Sequence, residues 1–220
     1  MTDRLPVRTE LYLLAHDEEG KPLVNVPILG VGLAAALMID LAITGQIEAA
    51  SGRVVARPRP SGGAHQGMVN GGIAGHSLSE LYDARAHPPT PLEVVMTWKE
   101  GVYDRIRGEM VAADIIYPVK MRRLGLVPVT RYKMLDEGNV VKARTGLRRS
   151  VTGQAQASPA DAALCGLLVE LQLERALYLA IDNATLRESM RAIAARHYDT
   201  VKQIFVALAE GIRFQSTSAS

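Results

Sequence analysis

The sequence predicts a mainly α-helical protein: a helical bundle around a buried central helix, with a small N-terminal β-hairpin and a protruding β-hairpin whose tip is apolar. Residues 31–43 are apolar except for Gly32 and Asp40, so a helix there has no face to offer to water and must be enclosed. Hydrophobic residues make up 48% of the chain and aromatic residues only 5%, which favours an aliphatic core and helix-on-helix packing. Apolar residues recur at helical spacing again from 95 to 113.

The apolar segment 23–45 is open to more than one interpretation. Its length is close to the ~20 residues that a membrane-spanning helix needs, but Asn25, Pro27 and Asp40 interrupt it. A buried core helix explains the same residues without a membrane. We expect that helix to end at Gly45 in a left-handed cap.

Residues 30–35 also fit the G-x-G-x-x-A pattern of dinucleotide-binding sites, with Glu48 near the place of the acid that binds the ribose. In such a site the pattern follows a buried strand. Pro22, Asn25 and Pro27 stand where that strand should be, and proline cannot donate to a central ladder. The core-helix interpretation is therefore favoured.

The chain is long enough for one sizeable core, and we predict a single domain over residues 1–214. In chain order we predict an apolar element at 10–15, strands at 46–50 and 53–56 joined by Ser51–Gly52, a mobile glycine-rich loop at 57–77, and helices at 77–86, 95–113, 160–179, 186–197 and 200–212. Capping signals at Ser158 and at Thr185 with Glu188 begin two of these helices. Residues 215–220 are expected to be disordered.

The net charge of +2 is unevenly distributed. Between Lys99 and Arg149 there are 12 Lys or Arg residues and 6 Asp or Glu residues, so this third carries +6 and the remainder −4. A basic segment indicates an anionic partner, either lipid headgroups or nucleic acid. Ordinary solvated faces would explain the count equally well.

Residues 115–136 predict a second hairpin with an unusual tip. Hairpin tips normally face water. An apolar tip with basic flanks suits an element that enters a membrane while its arms meet anionic headgroups, or one that is buried against a second subunit. The predicted tip is Leu124, Gly125, Leu126, Val127 and Pro128; the candidate headgroup ligands are Lys120, Arg122, Arg123, Arg131 and Lys133 on the arms, with Arg105 and Arg107 on the preceding helix.

Two stretches resemble bacterial members of the Golgi phosphoprotein 3 family. Residues 10–55, ELYLLAHDEEGKPLVNVPILGVGLAAALMIDLAITGQIEAASGRVV, share the family's order of a leucine-rich segment, an acidic-glycine turn, an apolar helix and a short basic strand. Residues 110–136, MVAADIIYPVKMRRLGLVPVTRYKMLD, resemble its hairpin with a Leu-Gly-Leu tip and a Thr-Arg-Tyr strand. The similarity extends over residues 10–212.

The resemblance implies a non-enzymatic peripheral membrane adaptor whose hairpin inserts into the membrane and mediates self-association. It also implies a pocket for phosphatidylinositol 4-phosphate, held in the family by one Trp and three Arg. Those four positions fall on Asn25, Ala34, Glu100 and Tyr103, so all four are replaced. We therefore expect binding that follows total anionic lipid, on the cytoplasmic face of a membrane, without preference for a phosphoinositide. The implied partners are anionic membrane lipid, a membrane-protein client and a homo-oligomer.

No catalytic or metal-binding motif stands out, and we predict no enzyme activity and no cofactor. The one cysteine, Cys165, lies in an apolar run and suits a small buried filler in a reducing cytosol. Trp98 is expected in the core, and no G-x-S-x-G or H-E-x-x-H sequence occurs. The histidines at 65, 76 and 87 do not have metal-ligand spacing.

Two other classes compete with the adaptor. Nucleic-acid binding is disfavoured because only Tyr117 and Tyr132 stand among the basic residues as stacking candidates. An enzyme or sensor that binds a small anionic ligand near Gly30–Gly32 is the main alternative.

Overall fold

A computed structural model describes residues 4–57, 72–123 and 127–217. These ranges contain eight α-helices and two antiparallel hairpins, which confirms the predicted fold class. The helices are α1 (Val7–Leu14), α2 (Val26–Ile43), α3 (Gly72–Asp83), α4 (Pro91–Ala112), α5 (Gly138–Val151), α6 (Pro159–Glu170), α7 (Asn183–Ala194) and α8 (Asp199–Thr217). The strands are β1 (Ile47–Ala50), β2 (Arg53–Ala56), β3 (Ile116–Arg123) and β4 (Val127–Met134). Short 3₁₀ turns at Ala84–Ala86 and Glu174–Leu177 follow α3 and α6.

Helix α2 is at the centre of the core, as predicted. From Leu29 to Ala42 every residue except Asp40 is buried, and α1, α4, α6 and α8 pack around it. Among the described residues it is the one helix that is long and apolar enough to cross a membrane. Since 72% of it is buried inside the protein, it has the environment of a core helix.

Both ends of α2 follow from its sequence. It begins at Val26 rather than at residue 31, because Pro27 fits the first turn, where a missing N–H costs no helical hydrogen bond. It ends as predicted, with Gly45 in the left-handed conformation at a φ of +70°. Gly30 and Gly32 therefore lie inside a helix, not in the strand-to-helix turn that a dinucleotide site requires.

Asp40, the one charged residue in α2, caps α1. Its carboxylate accepts the backbone N–H of Val7 at 2.7 Å and that of Arg8 at 3.3 Å, and it pairs with the Arg8 guanidinium at 2.8 Å. Burial raises the pKa of Asp40, an effect that the Arg8 charge opposes. The second Arg8 nitrogen lies 3.5 Å from Glu109, so this buried cluster joins α1, α2 and α4.

The predicted loop at 57–77 is wrong in its last part. Residues 72–77 belong to α3, and the first turn of that helix is held by Glu109, whose carboxylate accepts the Ile73 N–H at 2.5 Å. Sequence spacing could not reveal this contact because Glu109 lies on a distant helix. Residues 58–71 lie outside the described residues.

The C-terminal helices also differ from the prediction in extent. Helix α6 begins at the predicted Ser158 cap but ends at Glu170, because Gln172 adopts a φ of +57°. Helix α7 is capped by Asp182 rather than Thr185: the Asp182 carboxylate accepts the N–H of residues 184 and 185, each at 3.0 Å. Helix α8 includes residues 215–217, which were predicted to be disordered, and 218–220 lie outside the described ranges.

The two hairpins form where the sequence predicted them. Strands β1 and β2 pair from Ile47 with Ala56 to Ala50 with Arg53. Strands β3 and β4 pair from Ile116 with Met134 to Arg123 with Val127. Residues 127 and 128, predicted in the tip, therefore belong to β4, and tip residues 124–126 lie outside the described ranges.

Candidate functional site

A cavity of about 550 Å³ opens where α2, α4 and the β3–β4 hairpin meet. Five parts of the chain form its wall: the turn before α2, the first turns of α2, the middle of α4, strand β4 and the C-terminal end of α8. The lining residues are Gly20, Pro22, Val26, Pro27, Gly30, Lys99, Glu100, Gly101, Tyr103, Asp104, Arg107, Thr130, Arg131, Tyr132 and Gln215.

A break in α4 shapes this cavity. Glu100 has a ψ of 113° and Gly101 a φ of +72°, so the helix changes direction between Lys99 and Val102. Glycine tolerates that positive φ without a steric penalty. At the same level a Cβ on Gly30 would lie only 3.2 Å from the Lys99 carbonyl oxygen, so glycine there lets α2 and α4 approach closely.

Arg107 is held between two tyrosine rings beside the cavity. Its guanidinium carbon is 4.4 Å from the ring centre of Tyr132 and 5.4 Å from that of Tyr103. Asp104, one turn earlier, bonds the guanidinium at 2.6 Å. A planar cation stacked in this way is fixed in orientation and keeps donors for an anion.

A buried histidine supports this arrangement from the core side. His16 Nδ1 lies 2.7 Å from the Tyr12 carbonyl oxygen, so it donates there, and Nε2 accepts the Tyr103 hydroxyl at 2.8 Å. Burial lowers the pKa of His16, which favours this neutral tautomer. Tyr103 is thereby fixed from behind while its ring contacts Arg107.

The remaining charges around the cavity have both signs. Lys99 pairs with the neighbouring Glu100 carboxylate. The Arg131 side chain makes no hydrogen bond or ion pair with another described residue, although Arg131 lines the cavity. The Glu100 and Asp104 side chains are 77% and 68% exposed, against 16% for Lys99 and 26% for Arg107, so the acids are the more accessible groups.

The strand register divides the described basic residues of the hairpin between two faces. Lys120 and Arg122 share one face with Ile116 and Pro118, whereas Lys133 and Arg131 share the other face with their cross-strand partners Tyr117 and Val119. Tyr117 and Met121 on the second face are 42% and 38% exposed. That face therefore presents apolar and cationic side chains together.

The structure brings part of the predicted set to the cavity. Glu100, Tyr103, Arg107 and Arg131 line it, whereas Arg105 does not. Residues two apart on a helix are separated by about 200° of rotation, so Arg105 and Arg107 point in different directions. Of the other two positions implied by the resemblance, Asn25 is exposed just before α2, while Ala34 is fully buried in it.

Sequence reasoning missed Lys99, Asp104 and the role of Tyr132 in this site. Gly101 was the available signal, since a glycine inside an amphipathic helix can mark a break. The sequence could not show that the Tyr132 side chain, in β4, would contact Arg107 in α4.

The part of the chain that the structure describes contains one cysteine and no cluster of side chains placed to hold a metal. Cys165 is buried as predicted, and burial raises the pKa of its thiol to about 12. No group of three or more His, Cys, Asp or Glu side chains is placed to hold a metal among these residues. Trp98 is a core residue, as expected, with its N–H donated to Glu80 at 2.7 Å.

The fold is that of a helical protein with a cavity beside a hairpin. The family model described as Golgi phosphoprotein 3 (GPP34) matches residues 8–209, and the chain therefore belongs to this family. A search of curated proteins found no match. Membership points to a non-enzymatic adaptor as the broad class of function.

Proposed function

We propose that the protein is a non-enzymatic peripheral membrane adaptor that binds anionic lipid headgroups in the cavity and lies on the membrane through the β3–β4 hairpin. The observation that carries this proposal is Arg107, which contacts two tyrosine rings and lines the same cavity as Arg131, whose side chain makes no hydrogen bond or ion pair with another described residue. Arginine in a fixed orientation is well suited to phosphate. Family membership supports the same class.

The hairpin supplies the membrane contact in this proposal. Its outer face combines Tyr117 and Met121 with Lys133. An apolar side chain that leaves water fully contributes ~1.5 to 3 kcal/mol. A basic residue at an anionic surface adds about 1 kcal/mol. Neither contribution alone holds a protein firmly, so both are needed.

Two further parts of the proposal concern partners. The apolar segment 124–126 between the two strands would also serve self-association, and a membrane-protein client would be recruited at the cytoplasmic face. Sedimentation velocity over a range of concentrations tests the first. Co-purification from detergent-solubilised membranes tests the second.

Liposome co-sedimentation tests the lipid proposal. Binding should rise with the anionic lipid content of the vesicles and fall with added salt, because exposed charges are screened. Arg131→Glu should weaken it severalfold. Arg149→Glu is the matched control, since it makes the same charge change on an exposed position of α5 and should have a smaller effect. Equal loss in both variants, or no binding by the wild type, would contradict the proposal.

A small-molecule sensor remains the second candidate because Gly30, near which an anionic ligand was predicted, lines the cavity. Calorimetry with soluble anionic headgroups separates the two. Tight binding of a soluble anion together with no vesicle binding would favour the sensor.

A further inference from the structure

The charge of the cavity limits which headgroup it can hold. Its charged lining residues, within the described ranges, are three cations (Lys99, Arg107, Arg131) and two acids (Glu100, Asp104), which gives +1. A phosphodiester carries one negative charge and would neutralise this site. A headgroup with an additional phosphomonoester would leave an excess of negative charge in a partly enclosed space, which is unfavourable.

The positions of the acids strengthen this limit. Glu100 is already paired with Lys99, and Asp104 with Arg107, so Arg131 is the lining cation whose side chain has no ion pair with another described residue. The Glu100 and Asp104 carboxylates are largely exposed and retain free acceptor capacity. They can accept hydrogen bonds from hydroxyl or ammonium groups, and they repel a second phosphate.

We infer that the cavity selects a headgroup with a single phosphodiester and hydrogen-bond donors beyond it, and that Glu100 and Asp104 exclude headgroups that carry a phosphomonoester. This inference rests on the proposed function and adds the ligand class to it. Among anionic lipids the glycerol headgroup belongs to this class through its hydroxyls; the ethanolamine headgroup has the same phosphodiester and an ammonium donor but no net charge.

Soluble headgroups test the selectivity without the contribution of the hairpin. Calorimetric titration of the full chain would compare glycerophosphoglycerol and glycerophosphoethanolamine with glycerol 3-phosphate, a phosphomonoester of similar composition. The two diesters should bind more tightly than the monoester. A parallel series uses vesicles of phosphatidylglycerol or phosphatidic acid matched for total surface charge, and the phosphatidylglycerol vesicles should bind more protein.

The variant is Glu100→Gln with Asp104→Asn, and Glu188→Gln on the exposed side of α7 is the control. Removing the two acids should improve monoester binding by about tenfold, the order expected when a neighbouring like charge is removed from a partly exposed site. Diester binding should change much less. The control should retain the wild-type selectivity, and melting curves confirm that each variant is folded.

Two results would overturn the inference. Equal or tighter binding of the monoester by the wild type would show that Glu100 and Asp104 do not exclude phosphomonoesters. An unchanged preference for the diesters in the double variant would show that another feature of the protein causes that preference. If vesicles still bind in either case, the lipid-binding proposal stands and the inference alone fails; if the wild type binds neither vesicles nor any headgroup, both fail.

Discussion

His16 lies beneath the cavity with both ring nitrogens occupied, one by the Tyr12 carbonyl and the other by the Tyr103 hydroxyl. A proton on Nε2 would remove the acceptor for Tyr103. The charged or titratable groups around the ring are Tyr12, Tyr103, Asp17, Arg107 and Arg131. The two arginines disfavour an imidazolium there, in the same direction as burial.

This environment predicts a loss of stability in mild acid. Because burial lowers the pKa of His16 in the folded state, the unfolded chain takes up a proton first as the pH falls below about 6.5. Each pH unit below that value costs up to about 1.4 kcal/mol, until the folded-state pKa is reached. Urea unfolding of wild type and His16→Gln between neutral and mildly acidic pH measures the effect, and the variant should show the shallower dependence.

His197 is a second buried histidine that should contribute to the loss of stability in acid. Burial lowers the pKa of His197 as well, and its Nε2 has no hydrogen-bond partner among the described residues. His197→Gln should reduce the pH dependence separately from His16→Gln, and the two effects should add. If neither substitution changes the slope, the buried neutral histidines do not explain the acid sensitivity.

Leu37 tests the enclosure of α2 at the level of one residue. It is completely buried, so Leu37→Asp would place an unpaired charge in the core and should cost several kcal/mol in the free energy of unfolding. Val206, on the outer side of α8, is 59% exposed, and Val206→Asp should change stability far less. Chemical unfolding of both variants checks the difference, and a soluble Leu37→Asp protein with an unchanged melting temperature would contradict the central-helix description.

At the scale of elements, the packing of α8 on α2 depends on a glycine. A Cβ on Gly211 would lie 2.9 Å from Cγ1 of Val31, which is fully buried and cannot easily move. Gly211→Ala should therefore destabilise the protein by about 1 to 3 kcal/mol through overpacking. A Cβ on Gly108 in α4 would meet no atom within 4 Å, so Gly108→Ala should stabilise by about 0.5 to 1 kcal/mol. The two melting temperatures should move in opposite directions.

The membrane contact that the sequence predicts depends on the apolar hairpin tip. Leu126→Asp should abolish liposome binding and leave the helical fold intact, because the apolar contribution of the tip is lost. Circular dichroism provides the control for folding, and sedimentation velocity reports the oligomeric state. A variant that dissociates into smaller species but binds vesicles normally would show that the tip is a subunit contact instead.

The elements show where sequence reasoning succeeds and where it stops. The apolar run of α2 and the alternating strands were predictable, since burial is encoded in local composition. The end of α6 at Glu170 was not, because the apolar pattern continues past it and the left-handed Gln172 has no strong local signal. The break at Gly101 was signalled only by the glycine itself.

At the scale of the whole molecule, the candidate site was predictable only in part. Arg107 and Arg131 were selected for their charge, and the structure places both at one cavity. Their surroundings come from segments far apart in the chain: His16 before α2, Tyr103 in α4 and Tyr132 in β4. Such tertiary contacts carry no local pattern, so the sequence could name candidate ligands without showing which of them meet.

The cap that Asp40 provides for α1 has a consequence for the order of folding. The backbone N–H of Val7 donates its hydrogen bond to the carboxylate of Asp40, which lies 33 positions later in the chain. A helix of eight residues is marginal in water by itself, and α1 has no side-chain cap from its own N-terminal segment. Although α1 is synthesised before α2, it must wait for α2 to form, and its amide hydrogens should gain protection from exchange only when the central helix has docked.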